Sequence, residues 1–373
     1  METKPRVTAV SLFVVLALSA CSKKEQPSAE PAASAQAASS AAAPAAAVAV
    51  DPDKLTLQYA LGDMPVPADN PQSKEKIELG HQLFFDKRLS GDGSVSCYSC
   101  HQNEDGNGGH DPVAIGAKGK KLTRHSPVIW NVGYAKKHYW DGRSATLEEQ
   151  GLAALVGGNM GVGKESVEAK AKEIGKIAGY KKQFDAAFPG KGVTPETIVQ
   201  ALSAYQRTLV CADTAYDKYA KGDKTALSPE QKRGLVAFTG KGACTTCHTP
   251  PFFSLAFLSP EGAYFNTGVG TQGKAEADVD PGRMNVTKKD TDWAAFKPPS
   301  LRNVSKSPPY FHDGSVASLK DAVIFMATGG AKNKNLTPLI SDKQLTPTEI
   351  DDIVAFLGAL DCNQKLEEPK LPK

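Results

Sequence analysis

The sequence predicts a mainly α-helical protein with long loops and little sheet, organised as two similar units in tandem. Three observations support this prediction. Several segments place apolar residues at helical spacing, runs typical of strands are scarce, and the pattern C-x-x-C-H occurs twice, at 97–101 and 244–248. Because each copy of the pattern follows a predicted helix, the two copies divide the chain into comparable units.

Capping residues mark where several helices begin. Three helices start with a capping side chain followed by a proline at the first helical position, at Thr194-Pro195, Ser228-Pro229 and Thr346-Pro347. In the last two, Gln231 and Glu349 complete capping boxes. Apolar residues at helical spacing predict a further helix over 74–86 and another over 319–327.

Both C-x-x-C-H segments are attachment signatures for a covalently bound haem c. In each copy the two thiols would attach the haem and the histidine would ligate its iron, which assigns Cys97, Cys100, His101, Cys244, Cys247 and His248. A zinc site or a pair of redox-active dithiols is the alternative. A dithiol needs no trailing histidine, and zinc requires further Cys or His ligands nearby. We therefore predict two cytochrome-c-like domains, each with one covalent haem c.

The first fifty residues differ in composition from the rest. Residues 1–20 carry basic residues and then a short apolar run, which predicts a secretory signal peptide too short to span a membrane. Cys21 follows small residues as in bacterial lipoproteins, which predicts a lipid anchor; an ordinary signal with a nearby cysteine is the alternative. Residues 21–50 are mostly Ala, Pro and Ser and predict a disordered tether. We expect a periplasmic protein held to a membrane by lipid only.

The remaining chain is predicted to form one haem domain over 51–222, a second over 223–363, and a tail over 364–373. Gly222-Asp223 interrupts a predicted helix, and Ser228 starts the next. Beyond the haem motifs, we expect little sequence repetition. The formal net charge of +3 is close to balance and gives no indication of nucleic acid binding.

The sixth iron ligand decides the chemistry of a haem domain, because methionine favours electron transfer and an open position permits peroxide binding. For the second haem the candidates are Met284 and Met326, and the position of Met326 at the end of a predicted helix favours it. For the first haem His110 is a minority candidate, and His125 is expected at the surface. The remaining Cys211 and Cys362 either pair as a disulfide or stay free.

Further motifs lie outside the haem segments. They are LFFDKRLS (83–90), RHSP (124–127), YWDGR (139–143), LEEQ (147–150), PSLRNV (299–304), PYFHDG (309–314) and LKDAV (319–323). Together they resemble the bacterial di-haem cytochrome c peroxidases, including the related di-haem enzymes that mature a tryptophan-derived quinone. The resemblance covers about residues 72–361.

This resemblance implies a role for each haem. The family's amino-terminal haem is the low-potential peroxidatic site, here ligated by His101. Its carboxy-terminal haem is the high-potential site where electrons enter, here ligated by His248 and Met326, since Met326 stands fourteen residues after His312 as the family's axial methionine does. The implied reaction is reduction of hydrogen peroxide to water with electrons from a small cytochrome c or copper protein. Family members are often homodimers.

The resemblance also assigns distal residues, with two departures. Trp140 matches a tryptophan between the haems, and Gln150 matches a distal-pocket glutamine. The family's loop histidine, which ligates the resting first haem, falls at Ala117, which implies an open site that needs no reductive activation. The family's distal acid is replaced by Asn159, which cannot take up and return a proton. That task would then fall to Glu148, Glu149 or a water.

Calcium often lies between the domains in this family, bound by backbone carbonyls that match Ser307 and Pro309 and by an asparagine side chain. Here His125 stands at the asparagine position. Imidazole is a poor ligand for this hard cation, so calcium is left open.

Three functions remain in view. The first is a di-haem peroxidase. The second is a di-haem oxidase of the same fold that modifies a protein or small substrate through a high-valent state. The third is a non-catalytic electron-transfer or sensor cytochrome, in which Asn159 marks the loss of catalysis.

Overall fold

The computed structural model describes residues 50–373, so the predicted signal peptide, Cys21 and nearly all of the tether lie outside the described residues. The α-helices of the described part are α1 (Lys74–Phe85), α2 (Leu147–Val156), α3 (Val167–Gly175), α4 (Ala178–Ala187), α5 (Pro195–Gln206), α6 (Ala215–Ala220), α7 (Pro229–Thr239), α8 (Leu255–Leu258), α9 (Met284–Thr287), α10 (Leu319–Ala327) and α11 (Pro347–Gly358). Strand pairing among residues 50–373 is limited to isolated bridges. No helix in this range is long and apolar enough to cross a membrane.

The predicted helix starts are confirmed by their capping hydrogen bonds. The Thr194, Ser228 and Thr346 side chains each accept a hydrogen bond from the backbone N–H three residues later, and each helix begins with proline. All three are capping boxes, including α5, where Thr197 returns the hydrogen bond to Thr194. That third box was not predicted, because glutamate or glutamine usually supplies the return bond.

Two hydrophobic cores organise the described chain. The first is built where α1 packs against α5 and α4, around Leu79, Leu83 and Phe84. The second is built where α7 packs against α11, around Phe238 and Phe356. Each core therefore lies beside one C-x-x-C-H segment.

The start of the described chain packs against the second core, and its C-terminal tail packs against the first core. Near the start, Leu55 and Leu57 pack against the second core. In the C-terminal tail, Leu366 packs against the first core. The tail is fixed by a reciprocal pair of hydrogen bonds, in which the Asn103 amide donates to the Leu366 carbonyl and accepts from the Leu366 N–H, both at 2.8 Å. The termini thus join the two halves of the molecule.

An internal repeat relates the segment 126–149 to the segment 298–321. Residues 172 positions apart adopt the same conformations: Asn131 and Asn303 are both left-handed, with φ of 62° and 67°, and Tyr139 and Phe311 follow with φ of 66° and 73°. The bridge between 138 and 144 is matched by the bridge between 310 and 316. α2 and α10 then begin at equivalent leucines. The repetition beyond the haem motifs is therefore one of backbone conformation, with few identical residues.

Cys211 and Cys362 form a disulfide, with their Cα atoms 5.7 Å apart. Cys211 follows α5, and Cys362 follows α11, the two helices that begin with Thr-Pro. The Cys211 N–H donates to Oδ1 of Asn131 at 2.8 Å, and the Cys362 N–H donates to Oδ1 of Asn303 at 2.9 Å. The disulfide therefore joins two segments that bind equivalent asparagines of the two repeats.

A fully buried ion pair closes the second core. The guanidinium of Arg302 donates two hydrogen bonds to the Asp217 carboxylate, at 2.7 and 2.8 Å, and both side chains are 0% exposed. Burial acts to raise the pKa of Asp217, but Arg302 outweighs it and the pKa lies below its ordinary value. The carboxylate is therefore ionised and bound on both oxygens.

We expect Asp217→Asn to lower the free energy of unfolding by about 3–5 kcal/mol, because it leaves the Arg302 charge buried without a partner. Urea unfolding followed by circular dichroism measures the loss. Asp351→Asn is the matched control, since its ion pair with Lys320 is about half exposed and contributes about 0–1 kcal/mol. Equal losses in the two variants would contradict the prediction.

Candidate haem sites

The first motif presents a half-buried histidine with one ring nitrogen already engaged. Nδ1 of His101 lies 3.2 Å from the carbonyl oxygen of Asn107 and donates to it. Asn107 is itself held by the Trp130 indole, which donates to its side-chain oxygen at 3.0 Å. Burial lowers the pKa of His101 to about 4. The ring is therefore neutral, with Nε2 left as a lone-pair donor for a metal.

The second motif repeats this arrangement. Nδ1 of His248 lies 3.0 Å from the carbonyl oxygen of Phe253, and burial lowers the pKa of His248. Burial also raises the pKa values of Cys244 and Cys247 to about 11, so both are thiols. The two thiols and the imidazole are thus presented in the forms from which haem c is attached and ligated.

A cavity of about 250 Å³ opens beside the second motif. Cys244, Cys247, His248 and Met326 all line it, within walls formed mainly by apolar and aromatic side chains. Met284 does not line this cavity and instead packs beside Trp293. The structure thus brings Met326, and not Met284, to the second motif.

The residues fit haem better than the alternative groups. Cys97, Cys100, Cys244 and Cys247 are all free. Within residues 50–373, no three His, Cys, Asp or Glu side chains cluster as a metal site, which argues against zinc. Each motif offers two thiols and one neutral imidazole, and the second adds a thioether in an apolar cavity. This donor set suits haem iron.

Trp140 lies on the wall of the same cavity. Its indole N–H donates to the carbonyl oxygen of His125 at 2.8 Å, and its ring meets that of His312 edge-on, with centroids 6.3 Å apart. His312 is the repeat equivalent of Trp140. These contacts fix the indole in one orientation against the segment that follows the first motif.

His125 is buried, at 6% exposure, so the expectation of a surface position was wrong. Its backbone N–H donates to the carbonyl oxygen of His312 at 2.7 Å, and its Nδ1 lies 2.9 Å from the carbonyl oxygen of Asp111. Burial lowers its pKa, so the ring is neutral. His312 is distant from His125 in the sequence, so no local sequence signal could have shown this contact.

Comparison with known proteins identifies the family. Residues 74–225 match the model of the di-haem cytochrome c peroxidases. The chain is 35% identical over 335 residues to the cytochrome-c peroxidase IdrP1 of a Pseudomonas species (strain SCT), covering 84% of this chain and 88% of the relative. It is 38% identical over 316 residues to the cytochrome c551 peroxidase of Pseudomonas aeruginosa, covering 81% and 83%.

The chain belongs to the di-haem cytochrome c peroxidase family. It is an oxidoreductase, and its family implies haem c cofactors. A solved MauG-like protein associated with microbial copper homeostasis shares the fold, with 32% identity and a TM-score of 0.74 over 82% of this chain and 94% of that one. The predicted cytochrome-c-like di-haem fold is thereby confirmed.

The two positions where this chain departs from the family pattern are neighbours. The N–H of Ala117 donates to the carbonyl oxygen of Asn159 at 3.0 Å. Beside them, a Cβ at Gly116 would overlap the carbonyl of Gly158. The two loops are therefore in direct backbone contact. The loop that carries Ala117 is fixed against the loop that carries Asn159.

Gln150 and Asn159, the two predicted distal residues, are half-buried. In the described chain the side chains of Gln150 and Asn159 make no hydrogen bond, although the Gln150 carbonyl accepts one from the Tyr139 hydroxyl at 3.2 Å. Both amides can therefore hydrogen-bond a ligand.

The glutamates proposed as substitutes for the missing acid have other partners. Glu148 accepts two hydrogen bonds from Arg207, at 2.8 and 3.1 Å, and one from Asn70 at 2.7 Å. Burial acts to raise the pKa of Glu148, but Arg207 and Asn70 outweigh it and hold the pKa below its ordinary value. Glu149 is exposed and accepts from the Ala145 N–H at 2.7 Å. The Glu148 carboxyl, bound on both oxygens by Arg207, is therefore not free to exchange a proton.

The remaining candidate ligands differ in environment. His110 is 78% exposed and pairs with Asp105 at 3.0 Å, which raises the pKa of His110; the His101 ring, in contrast, is buried. The calcium position also lacks a suitable donor, because the ring of His125 is engaged with Asp111 and supplies no oxygen.

Proposed function

We propose that this protein reduces hydrogen peroxide to water with electrons from a small periplasmic redox protein, either a cytochrome c or a copper protein. Cys97, Cys100 and His101 hold the haem at which peroxide reacts. Cys244, Cys247, His248 and Met326 hold the haem that accepts electrons. The observation that carries the proposal is the difference between the sites: a methionine lines the cavity of the second motif, whereas Ala117 replaces the family's ligand at the first.

Haem iron supplies peroxide binding and electron exchange, and the protein supplies position and protons. The amides of Gln150 and Asn159 are free to donate hydrogen bonds to peroxide, which orients it and stabilises charge on the departing oxygen. An amide cannot return a proton, and Glu148 is bound by Arg207. The proton transfer therefore falls to a water held by these amides.

Trp140 is the residue through which the two sites communicate. Its indole lines the second cavity while its N–H is bonded to the backbone of His125, on the segment that follows the first motif. An aromatic ring held in this way shortens the gap that an electron crosses. The location of the protein in the periplasm, on a lipid anchor at Cys21, is part of the proposal and rests on residues 1–21 of the sequence alone.

Mixing the oxidised protein with reduced cytochrome c in a stopped-flow instrument tests the proposal. We expect peroxide-dependent oxidation of the donor without prior reduction of the enzyme. Asn159→Glu should raise the rate by about 10²-fold, because general acid–base catalysis contributes about 10²–10⁴. Asn159→Gln is the matched control and should leave the rate unchanged. Failure of every reduced donor to react, in protein that carries two haems, would refute the proposal.

A second candidate is a di-haem oxidase that acts on another protein or on a small molecule. The observations that favour it are Ala117 at the ligand position and the structural likeness to a MauG-like protein. A partner protein whose mass changes only when peroxide is present would establish it. The third candidate, a non-catalytic cytochrome, predicts that only Asn159→Glu turns over peroxide.

A further inference from the structure

Lys297 is an enclosed cation without a partner. It lies in the wall of the second cavity, and its backbone N–H donates to the carbonyl of Trp140 at 2.8 Å. Within residues 50–373 its ammonium has neither a hydrogen-bond acceptor nor an acidic side chain beside it. The nearest aromatic contact is the Phe257 ring, whose centroid is 5.3 Å from Nζ. Burial alone lowers the pKa of Lys297 to about 8.

A second polar side chain without a partner lies close by. His138 is 5% exposed, and its ring makes no hydrogen bond among the described residues. Burial, together with the charge of Lys297, lowers the pKa of His138 to about 3. The half-buried Lys297 ammonium and the buried His138 ring thus both lack an acceptor among the described residues. A charge withdrawn from water in this way is unfavourable unless an anion is bound beside it.

Two arginines of this region have carboxylate partners. Arg207 binds Glu148, and Arg124 binds both Asp141 and Asp280. Lys297 forms no ion pair with a described carboxylate, and burial is the only influence on its pKa. The cavity that Lys297 lines is the one in which the proposed function places a haem c, and haem c carries two propionate carboxylates.

We propose that Lys297 binds a propionate of the haem held by Cys244, Cys247 and His248. The proposal deepens the proposed function and rests on its assignment of a haem to the second motif. A fixed positive charge beside this carboxylate keeps it ionised and favours the reduced state of the haem. Lys297 is therefore a positioning residue for electron entry.

Spectroelectrochemical titration of the full chain with both haems, between pH 5.5 and 8.5, tests this role. We expect Lys297→Met to lower the equilibrium constant for reduction of the second haem by about tenfold, that is, its potential by about 59 mV. We also expect its potential to become more dependent on pH, because the unpaired propionate then titrates. Lys297→Arg should keep the wild-type behaviour. Lys297→Gln repeats the test without an apolar side chain, should the Met variant fold poorly.

Several other titratable groups lie near this site. The charges of Lys297, Glu148 and Arg207 all act on the pKa of His138, and the cavity walls add His248, Tyr310, His312 and Lys343. Lys320→Met is the matched control: Lys320 lies on α10 outside the cavity lining, and its ammonium pairs with Asp351 in a half-exposed position. We expect a change of less than about twofold, since exposed charges are screened.

Three outcomes would overturn the inference. An unchanged potential and pH dependence in both Lys297→Met and Lys297→Gln, with the visible spectrum of a His/Met haem intact, would exclude a propionate partner while leaving the proposed function in place. A shift of the wild-type potential on adding acetate, absent in Lys297→Met, would assign the site to a free carboxylate. Absence of haem from Cys244 and Cys247 in the wild type, shown by mass spectrometry, would refute the proposed function itself.

Discussion

Met326→Ala is expected to lower the equilibrium constant for electron transfer from the donor at least about a hundredfold. A thioether ligand stabilises reduced haem iron, so its loss lowers the potential, and two factors of ten correspond to about 120 mV for one electron. Donor-driven peroxide reduction should fall by a similar factor, since Met326 lines the cavity of the second motif. Potentiometric titration and steady-state assays with reduced cytochrome c measure the two effects.

Met284→Ala is the control for this prediction, because Met284 was the rival candidate in the sequence. It lies in α9 and packs beside Trp293, outside the walls of the cavity. We expect the potential of the second haem and the rate of peroxide reduction in Met284→Ala to equal those of the wild type. A loss in Met284→Ala with none in Met326→Ala would reverse the ligand assignment.

The double variant with both Cys211→Ser and Cys362→Ser is expected to have a free energy of unfolding lower by about 5 kcal/mol. The disulfide joins residues 151 positions apart, and in the chain-entropy model a loop of this length contributes about 5 kcal/mol by restricting the unfolded chain. Guanidinium chloride unfolding, followed by circular dichroism, measures the loss. The haem content per chain should stay the same, because these cysteines lie outside both motifs.

The single variants supply the control for the disulfide. Cys211→Ser and Cys362→Ser each remove the same cross-link, so each should lose about as much stability as the double variant. Losses that add up in the double variant would show that the side chains act separately. Both cysteines are buried, at 0% and 4% exposure, so a reductant should act only through unfolding.

Some features of this protein depend only on neighbouring residues, and these were predictable. A capping side chain, a proline and an apolar stripe act within one or two turns, so α5, α7 and α11 begin where the sequence places them. The C-x-x-C-H motifs are equally local. The internal repeat was also present in the sequence, as N-V followed by D-G at the same spacing in 126–149 and 298–321. It was missed because few of its residues are identical, whereas its backbone conformations are.

Other features depend on contacts between distant segments. His125 is buried because its backbone binds His312 from the other half of the molecule. Glu148 is unavailable as a proton carrier because Arg207, at the end of α5, binds it on both oxygens. Neither partner is near in sequence, and side-chain type alone does not show which charged groups will meet.

By itself the sequence determined the two haem motifs, the starts of the main helices, the mainly helical fold and the family resemblance. Each of these is encoded by residues within a few turns of one another or by specific short motifs. Only the tertiary structure decided that Met326 rather than Met284 lines the second cavity, that Cys211 pairs with Cys362, and that Lys297 is enclosed without a partner. These outcomes depend on which side chains the packing of the two cores brings together, and packing joins residues that the chain separates.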